Sequence, residues 1–548
     1  MCRLFFFLTM LFAGAALGQV ETRALVYEVA ENGKVLPNRS ILLTCSSTVA
    51  VISNPSAVEQ FCIDYVGRKT IKSNTIMDKK CTVFTSFDEL PKPVVSLQKD
   101  TILGYECQKV TYDVFSNKVE VWYTSTAGVK GSPSISFVPE NALVLKYVVN
   151  GTRTVVAASI KPTNDKIALP SDLGDVLSES QYVALQIKSR YTVIPVFKDQ
   201  QINYESGLVN PRPNQLDSTF RYSKGNIILK KVKLPKNSSK GSFFIQLTER
   251  SNGDAYDRVG SVFTFRSADS LTILDALQRG VNVLPITTDN LGEKYQGIVL
   301  GSNYSPVVEL MRFFTPFGVG HFNSKRMIEG YHWSDAVTYK QEVTALVPSD
   351  VDEMWIGVYI GNYDKGGHKV SLELNFYPDR EAQETKKWIQ PLFNTVNILE
   401  ADGQAYGRIF LNDSLEVNFE VPDSIDHLQL LFTTTGHGGW GQGDEFVPKR
   451  NELFLDGKPI FQHTPWRTDC GAYRLYNPAS GNFPDGLSSS DLSRSNWCPA
   501  TSTPPFLIPL HNLSKGKHQL KLAIDQGPNE GTSFSHWSVS GVLVGNKK

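Results

Sequence analysis

The sequence lacks three features that would assign it to common classes of protein. After residue 18 it has no run of about twenty apolar residues, which excludes an α-helical membrane span there. It has no net charge, because 55 lysine and arginine residues balance 55 acidic ones. A chain without an overall field has no electrostatic preference for nucleic acid or an anionic membrane, so we expect neither as a partner.

The sequence also lacks the short patterns that mark metal centres and common nucleophiles. Its 9 histidines form no HxH, HH or HExxH spacing, and it contains no GxSxG sequence. We therefore expect no metal and no cofactor. A metal-dependent oxygenase or hydrolase remains a weaker alternative, because His437, Asp444 and Glu445 lie close together in sequence.

The N-terminus has the pattern of a cleaved secretory signal over residues 1–18. Arg3 precedes an apolar run, and the small residues Ala15, Ala16 and Gly18 follow in the positions that a signal peptidase requires. We expect a secreted or periplasmic protein that is soluble and monomeric.

Cysteines cluster at the two ends of the chain and are absent between them. Four lie at Cys45, Cys62, Cys81 and Cys107, and a last pair follows more than three hundred positions later. Six cysteines in the mature chain fit an exported protein, and the gap between the groups indicates separate domains. The first four allow three disulfide pairings, and a zinc site is the competing interpretation.

Short runs of β-branched and aromatic residues, separated by Gly, Pro, Asn and Asp, predict an all-β chain of sandwiches or jelly rolls. Helices are expected only in the connections 267–279 and 381–388. Changes in composition place domain boundaries after residues 189 and 380. The predicted domains are an N-terminal β-rich accessory domain over 19–189 and two further domains over 190–380 and 381–548.

The segment 433–452 is the most unusual stretch of the chain. Five glycines surround Trp440 and the acids Asp444 and Glu445. Glycine lets another molecule approach the backbone closely, and a flat ring beside acids suits a sugar. A glycine-bent corner with Trp440 buried is the structural alternative.

A second candidate is SNGDAYDRVGSVFTF over 251–265, in which turn residues lead into a strand. Asp257 at the mouth of this strand can point inward, and the neighbouring Arg258 favours its ionised form or binds a substrate oxygen. An exposed Asp and Arg in a hairpin is the alternative for this pair.

Five motifs occur in the order seen in one family. They are GDAYDRVG, RFFTPFGVG, GHGGWGQGDEF, FQH and SRSNWCP. From about residue 190 to the end, the chain resembles the peptide-N-glycosidase F family, and the likeness includes the Cys470 and Cys498 positions of a family disulfide. The first block more weakly resembles the GLPGLI family of Bacteroidetes, although the motif that names that family is missing.

The resemblance implies two adjacent eight-stranded antiparallel jelly-roll sandwiches, preceded here by the separate N-terminal β-rich domain. It also implies hydrolysis of the amide bond between an N-glycan and asparagine, which releases the glycan and leaves aspartate. N-glycoproteins or glycopeptides would be the partners.

By position, the resemblance makes Asp257 the essential acid, which we interpret as the general base. It makes Glu445 a second acid and places Arg258 and Arg494 in the cleft, where either could stabilise the developing negative charge. Trp440 matches a cleft tryptophan.

Other residues are expected to bind the substrate. Tyr256 and Tyr363 offer aromatic faces or hydroxyl groups to neutral sugars, with burial in the sandwich as the alternative. His437 and Asp444, in the glycine-rich segment, are also assigned to substrate binding.

The sequence departs from the family pattern at one cleft acid, whose position falls near Gly361 or Asn362. Tyrosines also stand at Tyr256 and Tyr363 where the family has tryptophans. A non-catalytic glycan-binding or adhesion protein therefore remains an alternative, because jelly rolls serve both functions.

Overall fold

The structure, a computed structural model, describes residues 21–54, 58–212, 215–236, 238–266, 271–379, 381–404, 407–438, 443–483, 486–511, 513–528 and 535–547. The predicted signal over 1–18 and Trp440 lie outside these residues. The chain divides into two compact units, Met1–Ser189 and Arg190–Lys548. None of the described helices has the length and apolar character that crossing a membrane requires.

The first unit contains strands β1 (Arg23–Glu31), β2 (Lys34–Val35), β3 (Ile41–Cys45), β4 (Val49–Ser53), β5 (Gln60–Asp64), β6 (Lys69–Ile76), β7 (Lys79–Ser86), β8 (Val94–Ile102), β9 (Tyr105–Val114), β10 (Asn117–Thr124), β11 (Leu143–Val149), β12 (Arg153–Pro162) and β13 (Asp175–Val176), and helix α1 (Glu179–Ser189).

These strands form one 13-stranded sheet, in which neighbouring strands are antiparallel except for the β7 and β13 pair. Alternate residues of β1, namely Leu25, Tyr27 and Val29, point into its core, as the two-residue period of a strand requires. The expectation of disulfides here is wrong. Cys45, Cys62, Cys81 and Cys107 are buried free thiols, because each is placed by its strand as an apolar core residue.

The second unit contains β14 (Thr192–Ile202), β15 (Phe220–Tyr222), β16 (Ile227–Lys233), β17 (Gly241–Ser251), β18 (Val259–Phe265), α2 (Ile273–Arg279), β19 (Ile286–Thr288), β20 (Lys294–Gln296), β21 (Val308–Phe314), β22 (Val337–Glu342), β23 (Glu353–Ile360), β24 (His368–Pro378), β25 (Lys386–Asn394), α3 (Ile409–Asn412), β26 (Leu415–Val421), β27 (Ile425–His437), β28 (Asn451–Leu455), β29 (Lys458–His463), β30 (Ser502–Thr503), β31 (Phe506–Pro509), β32 (Gly516–Ile524) and β33 (His536–Lys547).

Two antiparallel sandwiches make up this unit and confirm the predicted fold class. The first pairs the sheet β14-β24-β17-β22 with the sheet β15-β16-β23-β18-β21-β30, whose two edge strands are short. The second pairs β25-β33-β27-β31 with β26-β32-β28-β29. Leu431, Val542 and Val544 of the second sandwich belong to the apolar core of the first, so the two sandwiches share buried surface.

The helix predictions have mixed outcomes. Helix α2 forms within the predicted connection 267–279, where Thr272 and Asp275 make a capping box at its N-terminus. The helix expected over 381–388 is wrong, because β25 begins at Lys386 and pairs with β33. Helix α1 was not expected from the sequence.

A buried ion pair lies where the two sandwiches meet. Arg312 donates through Nε to Glu309 at 2.7 Å and through Nη2 at 2.7 Å, and both side chains are almost fully buried. Its Nη1 group donates to Thr435 and to the carbonyl of Ser538 on the second sandwich. The pair therefore fixes one sandwich against the other.

We predict that Arg312→Met lowers the free energy of unfolding by about 3–5 kcal/mol, because it leaves Glu309 buried without its cation. Urea denaturation of the full chain measures the change. The control is Arg279→Met, which breaks the exposed pair with Asp275 and should cost less than about 1 kcal/mol. An equal loss of stability in the two variants would contradict the conclusion that the Arg312–Glu309 pair fixes one sandwich against the other.

Candidate active site

Asp257 lies in the loop that joins β17 to β18 at one end of the first sandwich. The loop is held by Thr315, which follows β21. Its Oγ1 accepts from the amide of Arg258 at 2.7 Å, and its own amide donates to the carbonyl of Arg258 at 2.9 Å. These bonds extend the β18–β21 ladder by one residue and fix the backbone beside Asp257.

Glu445 comes from the second sandwich, after β27 ends at His437. Gly436 has no room for a side chain, because a Cβ there would lie 2.8 Å from Trp537 and 2.9 Å from the carbonyl oxygen of Asp444. Gly438 has a φ of 84°, which favours glycine. The amide of Glu445 donates to the carbonyl of Gly438 at 3.4 Å, which places Glu445 beside the end of β27.

The segment 494–503 connects the two sandwiches and carries Arg494. The amide of Ser495 donates to the carbonyl of Glu445 at 3.0 Å, and β30 pairs with β21 of the first sandwich. Trp497 stacks on Phe314 with ring centroids 4.4 Å apart. The Cys470–Cys498 disulfide is present as the resemblance implied, and it anchors this segment beside Arg494.

Asp257, Glu445 and Arg494 meet at one atom. Nη1 of Arg494 lies 3.1 Å from Oδ2 of Asp257 and also donates to Oε1 of Glu445. The arginine side chain is 1% exposed, whereas the two acids are 16% and 19% exposed. One buried cation thus joins two partly accessible carboxylates from different sandwiches.

The charges of this cluster do not balance, and the pKa values reflect the imbalance. Burial raises the pKa of Asp257 to about 7, with a further increase from the Glu445 charge, although Arg494 opposes the shift. Burial also raises the pKa of Glu445. Near neutral pH the pair can therefore both hold and release a proton.

Arg258 pairs with a different acid from the one that the sequence suggested. Its Nε donates to Oδ2 of Asp254 at 2.8 Å, and its guanidinium carbon lies 5.0 Å from the centroid of the Tyr256 ring. The Arg258 side chain is only partly buried. The guanidinium of Arg258 therefore remains partly accessible to solvent, while the buried carboxylate of Asp254 holds it in place.

Two tyrosines expose their rings at this end of the first sandwich. Tyr256 is 62% exposed and Tyr363 is 55% exposed. The hydroxyl of Tyr363 donates to Glu400, an acid from the second sandwich. Sequence reasoning missed Glu400, because its partner lies 37 positions away and no local motif marks it.

Two residues assigned to substrate binding, Asp444 and His437, are buried. Asp444 is 0% exposed and accepts from the indole of Trp537 at 2.7 Å and from the amide of Gly527 at 2.9 Å. His437 is also buried, bonds Thr435 at 2.8 Å and stacks on His536. Both side chains therefore make their contacts within the protein, and substrate binding by either one stays a prediction. Trp440 lies outside the described residues.

We predict that Asp257→Asn stabilises the protein more at pH 8 than at pH 4.5. Because the folded-state pKa is raised, the folded protein holds a proton that the unfolded chain loses above about pH 4, so stability falls as pH rises to about 7. The amide removes this cost. The difference in unfolding free energy between variant and native chain should grow by about 2–4 kcal/mol across this range in urea titrations. Parallel stability curves would contradict the raised pKa.

Comparisons with known proteins agree over most of the chain. Residues 193–376 and 405–544 match the family models described as peptide-N-glycosidase F, N terminal and C terminal. Residues 25–180, for which we noted the GLPGLI resemblance, match the model described as N-glycanase peptide, N-terminal domain. A comparison with curated protein sequences finds no match.

Among solved structures, the chain is similar to PNGF-II in two crystal forms. The P21 form has 41% identity and a TM-score of 0.87, with 96% of this chain and 100% of that chain covered. The C2 form has 40% identity and a TM-score of 0.84, with 96% and 98% covered. The chain therefore belongs to the peptide-N-glycosidase F family, and it is an N-glycanase.

Proposed function

We propose that the protein hydrolyses the amide bond between the innermost N-acetylglucosamine of an N-glycan and asparagine. The observation that carries this proposal is the meeting of Asp257 and Glu445 on one nitrogen of Arg494. Glycoproteins or glycopeptides are the substrates, and the peptide product carries aspartate.

Asp257 is the general base in this proposal. A carboxylate with a pKa of about 7 takes a proton from water efficiently near neutral pH, because its basicity matches the working range. The resulting hydroxyl adds to the side-chain carbonyl carbon of asparagine. The C–N bond then breaks, and the proton held by Asp257 passes to the departing nitrogen, which leaves on the glycan as an amine.

Arg258 is the better candidate for stabilising the carbonyl oxygen as charge develops on it. Arg494 is already engaged by two carboxylates and by the carbonyl of Ser489 at 2.6 Å. Within the described part of the chain, Arg258 pairs with one acid, Asp254, and its side chain is partly exposed. A fixed cation in a partly buried site stabilises an oxyanion without reorganising solvent.

The exposed tyrosines and Glu400 bind the sugar. Aromatic faces pack against the apolar side of a pyranose ring, and Tyr256 and Tyr363 present such faces. Glu400 accepts from Tyr363 and can accept from a sugar hydroxyl. We propose that Glu400 takes the place of the cleft acid missing near Gly361, with Glu445 positioning the water or the first sugar.

Export through the predicted signal over 1–18 and action as a monomer complete the proposal. N-glycosylated proteins are found outside the cytoplasm. The Cys470–Cys498 disulfide agrees with that location, because disulfides persist in oxidising compartments.

We predict that Asp257→Asn lowers kcat by about 100- to 10,000-fold, since it removes the general base. The assay incubates native and variant protein with a denatured N-glycoprotein and weighs the peptides by mass spectrometry. The native enzyme should convert the glycosylated asparagine to aspartate. The control is Asp423→Asn, which removes an exposed acid paired with Lys515 and should keep full activity.

Two results would overturn this proposal. An N-acetylglucosamine left on asparagine would mean cleavage between sugars instead of at the amide. Full turnover by Asp257→Asn would remove Asp257 from the chemistry.

We also predict that Glu445→Gln shifts the pH dependence of catalysis to lower pH. The Glu445 charge raises the pKa of Asp257, and its removal also leaves Arg494 wholly to Asp257, so both effects favour the ionised base. The midpoint of the rise in kcat/KM should fall by about 1 unit or more from about 7. An unchanged midpoint would show that the two carboxylates are not coupled.

A further inference from the structure

A row of buried charged groups runs through the first sandwich to the loop that carries Asp257. On β17 the inward-facing row begins with the apolar residues Phe243, Ile245 and Leu247 and then continues with Glu249. On the neighbouring strand β24, the first inward residue is His368, which lies opposite Ser251. Strand alternation thus places an acid and an imidazole in the core at the end nearest the site.

The contacts in this row are continuous. Nδ1 of His368 lies 2.8 Å from Oε1 of Glu249, and Nε2 lies 3.5 Å from Oδ2 of Asp254. The same Asp254 oxygen accepts from Nε of Arg258 at 2.8 Å. The side chains of Glu249, His368 and Asp254 are at most 1% exposed, whereas that of Arg258 is 24% exposed. The row begins in the core at Glu249 and ends at the partly exposed guanidinium of Arg258.

The loop itself is tied to the same strands. The amides of Asn252 and Asp254 both donate to the carbonyl of Gly367, and the Ser251 hydroxyl donates to the carbonyl of Asp254 at 2.6 Å. Asp254 also accepts from the amide of Tyr256 at 3.0 Å. A shift of Asp254 would therefore move the backbone that leads to Asp257.

Packing alone does not explain these residues. Buried ionic groups pay a desolvation cost that well-packed apolar residues avoid, and replacement by apolar residues is often neutral or stabilising. A purely structural role in the core also does not account for the contact of this row with Arg258, which is partly exposed and follows Asp257 in the chain.

We propose that His368 is a positioning residue, which links Glu249 to Asp254 so that Asp254 holds Arg258 and the 252–258 loop in the catalytic arrangement. This inference rests on the proposed function for its kinetic consequences. Its structural part, the dependence of Arg258 on His368, stands independently.

The charges around His368 favour its protonated form at neutral pH. Burial by itself lowers the pKa of His368, but bonds and charges from Asp254 and Glu249 outweigh burial and raise it to about 9. Arg250 lies beside Glu249, Tyr339 faces it from β22, and Arg258 faces Asp254. The link should therefore persist through neutral pH and be lost only as pH rises through about 9.

The test is a double-mutant cycle with His368→Gln and Arg258→Ala. We expect His368→Gln to lower kcat by at least about tenfold while KM changes less than about threefold, since the positioned groups act in the transition state. In the double variant, the loss should equal that of Arg258→Ala alone, because His368 acts through Arg258. The matched control is His518→Gln, which removes a histidine–aspartate pair with Asp456 in the second sandwich and should leave kcat unchanged.

Additive losses in the cycle, or full activity in a folded His368→Gln variant, would overturn the proposal. If His368→Gln does not fold, Asp254→Asn replaces it, since this variant keeps the Glu249–His368 bond and removes the carboxylate charge that faces both His368 and Arg258. The same loss and the same non-additivity are expected, and full activity of Asp254→Asn would equally overturn the proposal.

A crystal structure of the substituted protein separates this inference from the proposed function. If the native enzyme releases no glycan, the proposed function fails, and the displacement of Arg258 from its position in the native protein still tests the link. An unmoved Arg258 in a folded variant would refute the positioning role.

Discussion

One guanidinium nitrogen between two carboxylates is the constraint on which the site depends. Nη1 of Arg494 compensates only one of the negative charges of Asp257 and Glu445, and burial keeps water from screening the other. Burial, together with the Glu445 charge, raises the pKa of Asp257 to about 7 against the opposing effect of Arg494. A carboxylate that is a weak base when exposed thus becomes suited to activating water. The two acids acquire different roles because their surroundings differ.

The fold supplies this arrangement by bringing three distant parts of the chain to one junction. Asp257 enters from the β17–β18 loop, Glu445 follows β27, and Arg494 lies on the segment that pairs with both sandwiches. The Arg312–Glu309 pair and the shared apolar core hold the sandwiches at fixed separation. A small shift between them would separate the acids, so interface packing and catalysis are linked.

The sequence predicted the β-rich class and the residues of the central cluster, because strand periodicity and short motifs are local signals. It missed contacts that depend on the path of the folded backbone. Arg258 was paired with its neighbour Asp257, yet the loop turns it onto Asp254. Glu400 carries no motif, and the pairing of Glu249 with His368 depends on strand register. Asp444 and Glu445 are adjacent in sequence, but one is buried under Trp537 and the other faces Asp257, which composition alone does not distinguish.

The central claim is that burial beside Glu445 keeps Asp257 protonated at mildly acidic pH, although the two acids share the cation of Arg494. Carbon-13 NMR of the side-chain carboxyls, assigned with the Asp257→Asn variant, measures this directly. The account predicts that the Asp257–Glu445 pair shows a titration step near pH 7. A carboxyl of Asp257 that titrates near its ordinary value of about 3.9 would contradict the account, because Arg494 would then offset the effects of burial and of Glu445 on the pKa.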